Sequence, residues 1–366
     1  MRIRQLLLVA SLGVTASAAS AVSIDWVSLG GAGNAADDTG FGAVAYTYKI
    51  SKYEVTNAQY AEFLNAVAAS DTNDLYDTEM SSDIVAGGIT RSGVSGSFTY
   101  SAKPGLANKP VTYITFYDAL RFANWLHNGQ PSGAQDNTTT EDGAYTITAQ
   151  GIADNTITRN AGAKIFLPSE DEWYKAAYYD ALSATYFDYP TGTDTQTGCV
   201  LPASDTGNSA NCNFVGWDEV TQIYPKDVGA YGLSDSPAGT FDQGGNVSEW
   251  NEAISGADRG LRGGSWASDP ASLAVGDGSL PTSIDPAWGD PEIGFRVAVP
   301  EPGTGLLVAA GLLGVAGWRW RSLSSWRSPR PVRANGLTAG AVARQRTNYA
   351  TADVRQEAAR AAGPRA

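Results

Sequence analysis

Residues 239–253 read GTFDQGGNVSEWNEA, residues 261–270 follow with LRGGSWASDP, and IGFRVA closes the series at 293–298. In the first string Gly244 and Gly245 precede Asn246, Val247 and Glu249. Paired glycines free the backbone for a tight turn, and such a turn presents side-chain and carbonyl oxygens to one side. Calcium takes about six to eight oxygens of this kind. The string therefore fits an oxygen-ligand loop, or a turn held by its own hydrogen bonds. In GGSW, Ser265 has no histidine beside it to act as a base, which argues against a serine nucleophile. In IGFRVA, Arg296 is expected to end the last strand and pair with an interior carboxylate, the alternative being a contact to substrate.

Upstream, three segments have the caps and periodicity of helices. In YEVTNAQYAEFLNAV (53–67), Thr56 and Gln59 form a capping box and Tyr60, Phe63, Leu64 and Val67 share one face. In TFYDALRFANWLHNG (115–129), Thr115 caps, Ala119, Phe122, Ala123 and Leu126 form the apolar stripe, and Gly129 stops the helix. In LPSEDEWYKAAYYD (167–180), Ser169 and Glu172 form a second box, with Trp173, Ala176, Ala177 and Tyr179 facing inward. The intervening chain is rich in Gly, Asp, Asn and Ser. Its short apolar runs, Ile89–Tyr100 and Ala144–Ile157, predict short strands between long ordered loops. No repeat and no linker interrupts Val22–Val299, which reads as one irregular α+β domain.

Taken in order, YEVTNAQYAEFLNAV, KPVTYITFYDALRFANWL (109–126), IFLPSEDEWYKAA (165–177), GGNVSEW, GGSW and GFRVA resemble the motifs of the formylglycine-generating enzyme (sulfatase-modifying factor) family. The resemblance runs from about Ser51 to Val297. It implies that family's irregular C-type-lectin-like fold, with few helices, short strands and long ordered loops. It also implies structural calcium, held by Asn246, Glu249 and the carbonyl of Val247. A second site falls at Asn211 in Ser209-Ala210-Asn211, with Asp227 or Asp218 as its acid. One departure from the family string is Ser248, where a tryptophan is usual, and it removes a packing group but no ligand. Oxidases of the family hold Cu(I) between two cysteines after GGSW. Counting along this chain places Ser268 and Leu273 there, and neither can replace a soft thiolate. Copper is therefore not expected, and no catalytic residue is assigned. Arg262, Ser265, Trp266 and Arg296 remain at the family pocket. The iron-dependent branch of the superfamily needs several histidines, whereas this chain has His127 alone, at a helix C-terminus that suits it for bland reasons.

The ends of the chain read as sorting signals. Arg2 and Arg4 precede the apolar run Leu6–Val14 and two small-x-small sites, so residues 1–21 form an export signal that signal peptidase is expected to cut after Ala21. Residues 22–299 are the domain. Residues 300–321 contain Pro300-Glu301-Pro302, the apolar stretch Gly303–Trp318 and Arg319-Trp320-Arg321. Trp and Arg at one end suit a membrane interface, and the tripartite order resembles the PEP-CTERM sorting signal of Gram-negative bacteria, which an exosortase processes. Residues 322–366, poor in large apolar side chains, read as a disordered basic tail. Cys199 and Cys212 are the two cysteines of an exported chain and are expected to form a disulfide; no C-x-x-C spacing favours the redox-active alternative.

Composition narrows the function further. Between Gln5 and Trp318 there are 13 basic and 36 acidic residues, a formal −23, so non-specific nucleic-acid binding is excluded. The expected protein is exported to the periplasm, outer surface or extracellular matrix and is transiently membrane-anchored through residues 303–318. There it would act as a calcium-stabilised binding or matrix component toward exopolysaccharide or a protein ligand. The alternatives are a formylglycine-generating oxidase, as the family resemblance implies, and a glycan-binding lectin-like module.

Overall fold

Three of the described helices begin where a hydroxyl stands three residues before an acid or amide. In the computed structural model, which describes residues 21–219, 222–275 and 282–301, α1 (Asn57–Val67) opens with Gln59 N donating to Thr56 Oγ1 at 3.3 Å and Thr56 N to Gln59 Oε1 at 2.9 Å. The one-turn α2 (Glu79–Ser82) follows. α3 (Phe116–His127) repeats the box through Thr115 and Asp118. α4 (Ala149–Ala153) is capped by Thr148, and α5 (Glu170–Tyr178) by Ser169 with Glu172. Each hydroxyl satisfies a first-turn N–H that helical bonding leaves free, and losing one costs about 1 kcal/mol.

Two details depart from expectation. Ala144–Ile157, read as strand, contains α4. The hydroxyl of Thr148 accepts from Gly151 N at 3.0 Å and turns the chain into a helix, leaving a single bridge from Tyr145 to Arg159. Tyr179 is buried, but as the first residue of a strand rather than as part of the α5 face.

The strands are short. β1 (Trp26–Leu29) and β2 (Tyr48–Ser51) pair antiparallel, and β3 (Ile89–Ser92) and β4 (Thr99–Ala102) form a hairpin. β5 (Tyr179–Asp180) pairs with β6 (Thr185–Tyr186), and β7 (Gly198–Cys199) with β8 (Ser209–Ala210). β9 (Ser248–Ser255), β10 (Asp258–Arg262), β11 (Thr282–Ile284) and β12 (Ile293–Phe295) make a sheet in the order β11-β10-β9-β12, with β12 parallel to β9. β13 (Ala298–Pro300) returns to β2, giving the order β1-β2-β13.

Aromatic rings join these layers. Phe122 of α3 meets Phe63 of α1 at 5.4 Å and Phe295 of β12 at 5.3 Å, both edge to face, and Phe116 meets Trp250 of β9 at 5.9 Å. These rings are fully buried, and each such pair adds roughly 0.5–1.5 kcal/mol beyond its area. Few helices, short strands and long loops packed on aromatics make the irregular α+β, C-type-lectin-like architecture that the motifs imply. Among the described residues no helix is long and apolar enough to cross a membrane. The stretch 303–318, the tail 322–366 and leader residues 1–20 lie outside the described residues.

Candidate functional site

β12 delivers Arg296 to the centre of the domain. Its guanidinium is fully buried and grips Glu249 of β9 at two points, Nε to Oε2 at 2.5 Å and Nη2 to Oε1 at 2.7 Å. Further N–H groups donate to the carbonyls of Ser51 at 3.0 Å and Phe241 at 2.8 Å. The indole of Trp173, from α5, donates to Glu249 Oε2 at 2.7 Å. Arg296 is thus the interior ion-pair residue that the sequence indicated, although it follows β12 and precedes β13 instead of ending the last strand. Glu249, read as a calcium ligand, has both oxygens engaged by protein donors.

Two acids that sequence reasoning did not single out join this centre. Glu54, 2% exposed, accepts from Asn246 Nδ2 at 3.1 Å. Burial, then the charges of Asp242 and Glu249, hold the Glu54 carboxyl well above its ordinary range against the pull of Arg296. Asp242 accepts from Gly229 N at 2.6 Å, and desolvation pushes it up to about 6 despite that bond and Arg296. Glu249 alone is bonded to the guanidinium, while Glu54 and Asp242 feel its charge without an ion pair to it. Glu54 and Asp242 stand beside motif residues in YEVT and FDQGG, a signal that adjacency alone could have raised.

Next to this centre the GGN turn meets the loop after β8. Asn246, in the left-handed region at φ 61°, accepts through Oδ1 from Lys226 N at 2.9 Å and from Asn211 Nδ2 at 3.1 Å. Asn211 is 1% exposed, and its Nδ2 also donates to the carbonyl of Tyr224 at 3.0 Å. Its Oδ1 is buried without a hydrogen-bond partner. A Cβ on Gly216 would stand 1.9 Å from that oxygen and 2.7 Å from Tyr224 O, so glycine keeps this space open. An orphaned carbonyl oxygen beside a second one fits a hard cation. Glu249 does not fit such a role, and among the described residues no cluster of three His, Cys, Asp or Glu side chains suits a metal. Val247 is fully buried at the entry to β9. Asp227 faces Lys109 at 3.5 Å, and both Asp218 and Asp227 act on the ammonium of Lys226.

The residues of the expected pocket each have protein partners, and Arg262 stands opposite Glu249 in the β9–β10 ladder. Arg262 donates to Glu170 at 2.5 Å and lies over the rings of Phe41 and Tyr174. Ser265 is fully buried: its Oγ donates to Glu292 and its N–H to Ser268 Oγ at 2.9 Å. Trp266 stacks on Tyr224 with centroids 4.4 Å apart and an interplanar angle of 4°. Phe214 is held edge-on to Trp266 in a left-handed backbone at φ 59° and is 52% exposed, close to Trp217 at 37%. Left-handed backbone is costly for a bulky residue. Hydrogen bonds from Asn213 N to Ser268 O and from Phe214 N to Trp266 O fix it.

Ser268 and Leu273 face each other across Gly264, where a Cβ would meet Leu273 Cδ2 at 2.9 Å and Ser268 Oγ at 3.0 Å. Leu273 is fully buried with Tyr189, Ala210 and Cys212. Cys199 and Cys212 are joined as a disulfide with Cα atoms 5.1 Å apart. The fold thus carries Cys212 against Leu273, a proximity that more than fifty residues of separation concealed. His127 accepts from Lys164 N at 3.0 Å through Nδ1 at the end of α3, with no second histidine in the chain. A cleft of about 400 Å³ opens between residues 21–25 and the start of α1, and through Glu54 in its wall it adjoins the Arg296 centre.

Residues 38–300 match the sulfatase-modifying factor enzyme 1-like domain, and residues 298–322 match the PEP-CTERM protein-sorting motif. Among solved structures, CarF is similar at 21% identity over 76% of this chain and 99% of its own, with a TM-score of 0.46. Variable protein 1 of Treponema denticola is 18% identical over 78% of this chain and 98% of its own, with a TM-score of 0.49. PvdO from Pseudomonas aeruginosa is 18% identical over 76% and 92%, with a TM-score of 0.40. No curated protein matches.

Proposed function

This chain belongs to the sulfatase-modifying factor enzyme 1-like family, and on that premise we propose a non-oxidising, calcium-stabilised binding role at the cell surface or in the extracellular matrix. The PEP-CTERM motif marks it for export and for surface sorting by an exosortase. One observation carries the non-oxidising reading. The two positions that would supply copper thiolates are Ser268, bonded to the Ser265 amide, and Leu273, sealed in an apolar cluster. Cys199 and Cys212 are occupied with each other. When bound, calcium would supply a fixed positive charge that ties the loop after β8 to the GGN turn. We assign it to Asn211 Oδ1 with the carbonyl of Tyr224 beside it, rather than to Glu249 or to the Asn246 amide oxygen, both of which already accept from protein donors. The exposed Phe214 and Trp217 support a ligand face on the same loop, for exopolysaccharide or a protein ligand.

The direct test incubates the full chain with Cu(I) and a sulfatase-motif peptide, once with its disulfide intact and once after reduction. Mass spectrometry is expected to find the peptide cysteine unchanged in both. Conversion to formylglycine above the buffer rate in either arm would overturn the reading. For calcium, a chelator should lower the melting temperature of the wild type and leave an Asn211→Ala variant unmoved. A wild type indifferent to chelator removes calcium from the proposal.

A further inference from the structure

β13 carries the sorting motif into the folded domain. The strand ends at Pro300, opposite Tyr48 of β2. Glu301, the middle residue of Pro-Glu-Pro, continues along the same sheet, its N–H donating to Thr47 O at 3.2 Å. Its carboxylate turns back across the strands to accept from Ser28 Oγ at 2.8 Å, with Lys49 Nζ at 3.7 Å. Ser28 and Lys49 are cross-strand partners of β1 and β2, and Lys49 also opposes Val299. Just upstream, Ala298 exchanges both backbone hydrogen bonds with Phe166, at 2.7 and 3.0 Å, while pairing with Ile50 on its other side.

We propose that this contact is a processing latch: the folded domain holds Glu301 on Ser28 and Lys49, and the motif must leave them before the exosortase can take it. A segment recognised in extended form needs its backbone groups and specificity side chain free, and here the N–H and the carboxylate of Glu301 are both engaged. Lys49 and Glu301 side chains are 41% and 26% exposed, so solvent screens their attraction and the latch opens by local fraying rather than by unfolding. It therefore sets the rate of processing and does not forbid it. Because Ser28 lies in β1, seven residues past the expected signal cleavage after Ala21, the N-terminal strand must dock before the C-terminal motif is held.

The experiment follows the full chain in cells that contain an exosortase, by pulse labelling of the conversion from precursor to processed form. A Ser28→Ala/Lys49→Ala variant is expected to convert about two- to fivefold faster than wild type, with an unchanged melting temperature. A Lys164→Ala variant, which removes one exposed charge elsewhere, is expected to convert at the wild-type rate. Equal or slower conversion of the double variant, or equal acceleration by Lys164→Ala, overturns the latch. A second measurement needs no peptidase. Amide hydrogen exchange at Glu301 of the full chain in detergent should be slowed in wild type and several-fold faster in the double variant. An unprotected Glu301 amide in wild type overturns the proposal independently.

Discussion

Asp242 illustrates how a single side chain can make this domain sensitive to pH. Its carboxyl is raised to about 6 in the fold, mainly by desolvation, from an ordinary 3.8. A carboxyl raised by folding contributes stability while it is protonated in both states. That contribution is complete below about pH 3.8 and is lost as pH rises through 6. Glu54, raised for the same reason, acts in the same direction. Replacing Asp242 with Asn keeps an acceptor for Gly229 N and removes the titration. Urea melts between pH 4 and 7 should show a flatter pH dependence for Asp242→Asn and, at pH 7, a gain of roughly 2 kcal/mol. Asp118, also raised to about 6 by burial, stays in the variant as an internal reference for the residual slope. At this scale the sequence was informative about Arg296, whose pairing with a buried acid is general chemistry. It could not name the partner: Glu249 lies on another strand, and it reads equally well as a metal ligand.

At the scale of elements, the caps were legible because they are local. Thr56 with Gln59, and Ser169 with Glu172, each meet within one turn, and nothing distant alters that. Ala144–Ile157 was misread because the alternation of Tyr145 and Ile147 competes with a hydroxyl cap at Thr148, and the cap prevails. The gathering of Glu54, Asp242 and Glu249 within reach of the Arg296 charge was not legible, since those residues come from loops and strands brought together only by folding. The same holds for the left-handed Phe214. The β7–β8 pair concerns function most directly, since its disulfide sits beneath Leu273 and so beneath the GGSW turn. A Cys199→Ser/Cys212→Ser variant frees a loop with a sequence separation of 13. Denaturant unfolding should register a loss of about 3 kcal/mol. The near-ultraviolet signal of the Tyr224–Trp266 stack is expected to weaken in the same variant, because Asn213 and Phe214, just beyond Cys212, donate to the carbonyls of Ser268 and Trp266.

For the whole molecule, the dominant physical fact is charge. With a formal −23 between Gln5 and Trp318, folding concentrates like charges that an extended chain keeps apart. Screening shortens to a Debye length of about 3 Å at 1 M salt. The melting temperature should therefore rise between low and molar sodium chloride, an effect that a scan in chelator separates from calcium binding. A flat or falling curve would mean that the buried ion pairs, rather than surface repulsion, govern stability. The sheet order β1-β2-β13 has a different consequence, one of timing. A chain threaded outward from its N-terminus presents Tyr48 and Ile50 early, yet the strand that covers them ends at Pro300 and is among the last parts of the domain to emerge. Throughout translocation the central strand has one open edge, and the domain cannot close until nearly its whole length has crossed. Its exposure to aggregation is thus set by the speed of secretion more than by the stability of the finished fold.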